Sequence, residues 1–143
     1  MADKVNKMTL DTDGDGKKDT FLVDTDGDGK YDKIFVDTDK DGKADTIYVD
    51  TDKDGRFDTV LLDTDKNRKF DTVLVDSDGD GKVDTVYIDA NEDGNFETLV
   101  TDENADELAD MVAVDLTNDG KYDVVVVDVD EDGTFDATVA DEE

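Results

Sequence analysis

The sequence predicts an all-β fold of tandem 13-residue loop–strand repeats, arranged as an antiparallel meander that is curled or closed into a barrel. Three observations carry this expectation. Asp-Thr-Asp-Gly-Asp-Gly-Lys recurs with a period of 13, and from Asp11 the chain splits without gaps into ten copies, which begin at Asp11, Asp24, Asp37, Asp50, Asp63, Asp76, Asp89, Asp102, Asp115 and Asp128. The last positions of each copy alternate at period two with β-branched residues, as in Ile47/Val49, Val60/Leu62 and Val86/Ile88. The chain has no Pro, which suits uninterrupted ladders, and shows no helical period.

The copies organise residues 1–143 as a single repeat domain. Residues 1–10 supply an opening strand through Met8-Thr9-Leu10, residues 11–140 hold the ten copies, and 141–143 form a short acidic tail. With the repeat numbered 1 to 13, position 10 is mainly Thr and position 8 is often aromatic, as in Tyr31, Phe57, Phe70, Phe96, Tyr122 and Phe135. Positions 8, 10 and 12 share one face of the strand, and 9, 11 and 13 share the other. Neither face is fully polar, so the sheet is expected to bury part of both, with the aromatic row as core. The end strands are poorer and more charged, which discourages sheet-to-sheet aggregation while leaving self-association through these edges open.

A parallel β-roll is the alternative architecture. Its loops would stack at the ~4.8 Å strand spacing and crowd carboxylates at every level. In a meander the loops alternate edges and sit about twice as far apart, so charge repulsion favours the meander.

The 44 Asp and Glu residues against 15 Lys and Arg give a formal net charge of −29. An acidic surface repels phosphate, so nucleic acid is not an expected partner. No apolar run approaches the ~20 residues of a membrane-spanning helix, and Met1–Lys7 carries no apolar secretion signal. There is no Cys for disulfides or soft-metal ligation, and no His for a catalytic base. Paired acids could do acid–base work, but they are the same in copy after copy and no copy holds a singular constellation, so an enzyme is not expected.

The acids keep register. Carboxylates fall at positions 1, 3, 5 and 9, with Gly at 6 to allow a sharp bend. Calcium takes about six to eight oxygens at ~2.3–2.6 Å, and alternate side chains of a tight turn converge on one point. The carbonyl at position 7 adds a ligand. Magnesium, with its small octahedron, fits less well, and soft metals lack thiolate or imidazole.

The candidate ligands are therefore Asp11, Asp13, Asp15, Lys17 (by its carbonyl) and Asp19 in the first copy, and Asp24, Asp26, Asp28, Lys30 and Asp32 in the second. The third and fourth copies offer Asp37, Asp39, Asp41, Lys43 and Asp45, then Asp50, Asp52, Asp54, Arg56 and Asp58. The sixth offers Asp76, Asp78, Asp80, Lys82 and Asp84, the seventh Asp89, Asn91, Asp93, Asn95 and Glu97, and the tenth Asp128, Asp130, Asp132, Thr134 and Asp136. These are about seven credible calcium sites. The copies at Asp63, Asp102 and Asp115 are degraded: Asn67 and Arg68 replace the acid and glycine of the first, Glu107 replaces the glycine of the second, and Thr117 replaces an acid of the third. Arg68 is a candidate fixed charge standing in for a missing ion.

These residues resemble the D-x-D-x-D-G calcium loop shared by EF-hands, dockerins, thrombospondin type 3 repeats and the calcium hairpins of integrin-like propellers. The resemblance spans residues 11–136. Position 12 holds Leu22, Phe35, Tyr48, Leu61 and Leu74 where an EF-hand has Glu, and the cysteines of thrombospondin repeats are missing. The acid at position 9 is closest to the integrin-type loop. The resemblance implies a calcium-binding repeat protein whose fold is stabilised by several ions, acting as an extracellular or cell-surface spacer or assembly module. A calcium buffer or mineral-surface binder is the alternative, and rows of Thr at positions 2 and 10 raise ice binding as a third class.

Overall fold

Each copy ends in a strand of four residues, or five in the first, because positions 10 to 13 are rich in Thr, β-branched and aliphatic residues. The computed structural model describes residues 6–140. The start of the opening segment and the acidic tail 141–143 lie outside the described residues. The chain divides into two units, Met1–Phe70 and Asp71–Glu143.

The first unit holds β1 (Asn6–Leu10), β2 (Thr20–Asp24), β3 (Lys33–Val36), β4 (Thr46–Val49) and β5 (Thr59–Leu62). The second holds β6 (Thr72–Val75), β7 (Thr85–Ile88), β8 (Thr98–Thr101), β9 (Met111–Val114), β10 (Val124–Val127) and β11 (Ala137–Ala140). Within each unit every strand pairs antiparallel with the next in the chain, for example Ile47↔Leu61 in β4–β5 and Val125↔Ala113 in β10–β9. This is the meander, and the antiparallel registers exclude the parallel roll. Strands β1 and β11 each have a single neighbour, so no barrel closes.

The ladder continues past the strands to positions 1 and 9. The amide of Asp32 donates to the Val23 carbonyl at 2.9 Å and closes its loop, and the amide of Asp50 donates to the Asp32 carbonyl at 2.9 Å. Loops of consecutive copies therefore emerge at opposite edges of the sheet, and loops two copies apart share an edge.

Burial runs against expectation. Among the described residues Ala113 is the only buried hydrophobic residue, at 1% exposure. The buried set is instead Thr20 and carboxylates of positions 1 and 9, including Asp24 at 1%, Asp32, Asp37, Asp45, Asp50, Asp89, Glu97, Asp115 and Asp128. The aromatic row is not core: Phe57, Phe96, Tyr122 and Phe135 are exposed. No helix is present among the described residues to cover these rings, so they pack only on neighbours of their own face. Tyr48 meets Phe57 edge-on at 6.3 Å, and Tyr87 meets Phe96 at 6.0 Å. Strands β3 and β5 to β8 are half-buried throughout, and β11 is exposed along its length.

Candidate metal centres

Positions 1 to 6 fold into the same turn in each copy because short acids capture nearby backbone amides. In the first copy the two oxygens of Asp11 accept the amides of Gly14 at 2.7 Å and Gly16 at 2.8 Å. Asp13 accepts the amide of Asp15 at 3.1 Å, and Asp15 accepts that of Lys17 at 2.8 Å. Each of these last two contacts uses Oδ1 and leaves Oδ2 facing outward for another partner.

Two backbone positions per loop lie in the left-handed region. Position 6 does so as expected, from Gly16 at φ 89° to Gly133 at φ 87°. Position 4 does so as well, and nothing in the sequence reading pointed to it. It is held there by Gly14, Gly27 and Gly79, but also by Lys40, Lys53, Lys66, Glu92, Ala105, Asn118 and Glu131, at φ 58–64°. The degraded copies keep the same path: Arg68 takes φ 81° and Glu107 takes φ 74° at the glycine position. A side chain there costs about 1–3 kcal/mol of backbone strain.

Acids from several of the predicted sets lie close together. Oxygens of Asp11, Asp13 and Asp15 lie within 4.8 Å of one another, as do those of Asp24, Asp26 and Asp32, of Asp37, Asp39 and Asp41, and of Asp50, Asp52 and Asp58. Positions 1, 3 and 5 thus meet in some loops and positions 1, 3 and 9 in others, which fits one site served by all four. These groups could hold metal ions.

The acid at position 9 has a second set of partners that the sequence reading did not find. Thr12 donates to Asp19 through its hydroxyl at 2.7 Å and through its amide at 3.2 Å, and the Thr20 hydroxyl adds 2.9 Å. These bonds hold the Asp19 carboxyl below its usual range, the Thr12 hydroxyl first; the Thr25 hydroxyl does the same for Asp32. Burial pushes Asp45 up, but the hydroxyl and amide of Thr38 outweigh it and the carboxyl ends lowered. The Thr row at position 2 therefore donates inward, to the loop.

Two observations test whether a cation fits. In the seventh copy Ala90 replaces the hydroxyl residue at position 2. Glu97 keeps the Ala90 amide on Oε2 at 2.9 Å, and its Oε1 is buried without any hydrogen-bond partner. A buried carboxylate oxygen left bare is costly unless a cation meets it. In the first copy a cation already stands at the loop: the Lys40 ammonium binds Asp13 Oδ2 and lies 2.7 Å from Asp15 Oδ2. It holds the Asp15 carboxyl below its ordinary range and is itself pushed up, chiefly by Asp13 and then Asp15. Where only acids surround a carboxyl the shift reverses: Asp132 and then Asp136 push Asp130 up.

Arg68 does not serve its own loop. Its guanidinium reaches Asp41 Oδ2 of the third copy at 3.1 Å, because the third and fifth loops share an edge.

Strands recurring every 13 residues between Asp-rich groups fit a repeat calcium-binding motif. No protein-family model, curated protein or solved structure matches the chain.

Proposed function

We propose that this chain is a calcium-binding repeat protein whose fold is stabilised by about seven ions, one in each intact loop. The observation that carries the reading is the convergence of three acidic side chains within 4.8 Å in loop after loop. Such groups repel one another at a formal charge of −29, and each divalent ion cancels two of those charges. With so few buried apolar side chains, ion binding supplies much of what an apolar core supplies elsewhere. The hairpin setting of each loop, with an acid at position 9, is the point of likeness to integrin-type calcium loops.

Loops of this kind outside the cell bind in the ~10⁻⁴–10⁻³ M range, so the module is ordered in millimolar calcium. This supports an extracellular or cell-surface role as a spacer or assembly module. It is a structural rather than a catalytic part.

A second reading, a calcium buffer or mineral-surface binder, draws on one observation. Lys40, Lys53 and Arg68 neutralise part of the acidic clusters without metal, so the first unit has a means of staying ordered before ions arrive.

Equilibrium dialysis against calcium with elemental analysis tests the proposal. The expected result is about seven calcium ions per chain at millimolar free calcium, with magnesium a poor competitor. Uptake of one ion or none at that concentration contradicts it.

A further inference from the structure

Loops on the same edge of the sheet are tied by side chains of position 4. Lys40 in the third copy binds Asp13 and Asp15 in the first. Lys53 in the fourth binds Asp26 Oδ2 in the second at 2.5 Å. In the second unit the neutral Asn118 of the ninth copy donates to Asp93 Oδ2 in the seventh. Each of these residues has left-handed backbone, and its side chain reaches the loop two copies earlier.

The carboxylates they bind are candidate ion ligands. Asp13, Asp15, Asp26 and Asp93 each give Oδ1 to an amide two residues on, at 3.1, 2.8, 3.1 and 2.9 Å. Oδ2 is the oxygen with no amide partner in this set, and there the ammonium or amide already sits. An ammonium paired with these oxygens offsets the negative charge that draws an ion and repels a second cation nearby, so ammonium and ion compete.

We propose that Lys40 and Lys53 are internal competitors for calcium, each weakening ion binding in the loop two copies earlier, so that position 4 sets the affinity of the neighbouring site on its edge. The proposal rests on the calcium reading above and adds what regulates each site. Position 4 varies between Gly, Lys, Glu, Ala and Asn along the chain, whereas the ligand positions barely vary. Otherwise equivalent loops therefore fill over a spread of calcium concentrations. An exposed ion pair of this kind contributes little, so each competitor shifts the midpoint by about two- to five-fold.

The test is a calcium titration of the full chain followed by amide NMR. The amides of Gly16, Gly29 and Gly94 each donate to the first acid of their loop, at 2.8, 3.0 and 2.9 Å, and report it individually. Lys40→Gly keeps the left-handed backbone that Gly14 and Gly27 hold at the same position. It is expected to lower the Gly16 midpoint by about two- to five-fold and leave Gly29 and Gly94 in place. Lys53→Gly is expected to move Gly29 alone. Asn118→Lys installs a competitor and is expected to raise the Gly94 midpoint. A Gly16 midpoint that stays or rises in Lys40→Gly, in a chain that binds calcium normally, overturns the competition alone. Amides unmoved by calcium in the parent chain overturn the calcium reading and the competition with it.

Discussion

The Thr38 hydroxyl donates to the Asp45 carboxylate at 2.6 Å across seven residues, and the Thr38 amide joins it at 2.8 Å. The pairing recurs in Thr51–Asp58 and Ser77–Asp84, both at 2.8 Å. Where position 2 carries a hydroxyl, the pairing fastens the start of the loop to its closing acid. Replacing the hydroxyl leaves a buried carboxylate short of a donor. Thr38→Val is expected to cost about 1 kcal/mol in urea denaturation at saturating calcium, and Thr38→Ser much less.

Glu107 holds φ 74° where seven intact loops have Gly. Its amide still donates to Asp102 at 2.9 Å, so the turn is formed against the preference of the side chain. Glu107→Gly is expected to stabilise the chain by about 1 kcal/mol. The converse, Gly94→Ala at φ 95°, is expected to destabilise by a similar amount or more. A Cβ there meets nothing within 4 Å, so the cost is the backbone's alone. Thermal unfolding of both variants checks the pair.

The pH response follows from the carboxyls. Asp19 and Asp32 are held below the ordinary value of 3.8 by threonine hydroxyls. The folded chain then binds fewer protons at these groups than the unfolded chain. Their contribution is fully present above the unfolded value and is lost as pH falls through the lower folded one. Asp130, raised above 3.8 by Asp132 and Asp136, has the opposite sign: its ionisation opposes folding, and protonation relieves it. Carboxyl-carbon NMR titration in chelator, with sucrose added to hold the metal-free chain folded, is expected to place Asp19 and Asp32 below 3.8 and Asp130 above it. An Asp19 midpoint at or above 3.8 contradicts the hydroxyl assignment.

Glu97 offers a test of a single site. Its bare Oε1 is tolerable when a cation meets it and costly otherwise. Glu97→Gln is expected to lower calcium uptake by about one ion per chain while making the metal-free chain more stable. Titration calorimetry and sucrose-induced folding in chelator read the two effects separately.

Much of this architecture was legible in the sequence. A strict period made the strands at Thr46–Val49 and Thr85–Ile88 visible, and carboxylate spacing picked out groups such as Asp24, Asp26 and Asp32 that the fold brings together. What escaped depends on which loops become neighbours. Nothing local in the sequence pairs Lys40 with Asp13 and Asp15; the meander brings its loop beside theirs. Arg68 reads as a charge for its own loop until the shared edge gives it Asp41. The aromatic row reads as core because alternation reports which residues share a face, not whether anything covers that face. Barrel closure was equally out of reach, since no local signal says whether β1 and β11 meet.

Far-UV circular dichroism during a calcium titration from a chelated start, with sedimentation alongside, tests the central claim most directly. The expected result is a cooperative gain of β signal with compaction as calcium nears the millimolar range, reversed by chelator. A full β spectrum and compact chain already present in chelator, unchanged by calcium, would contradict it.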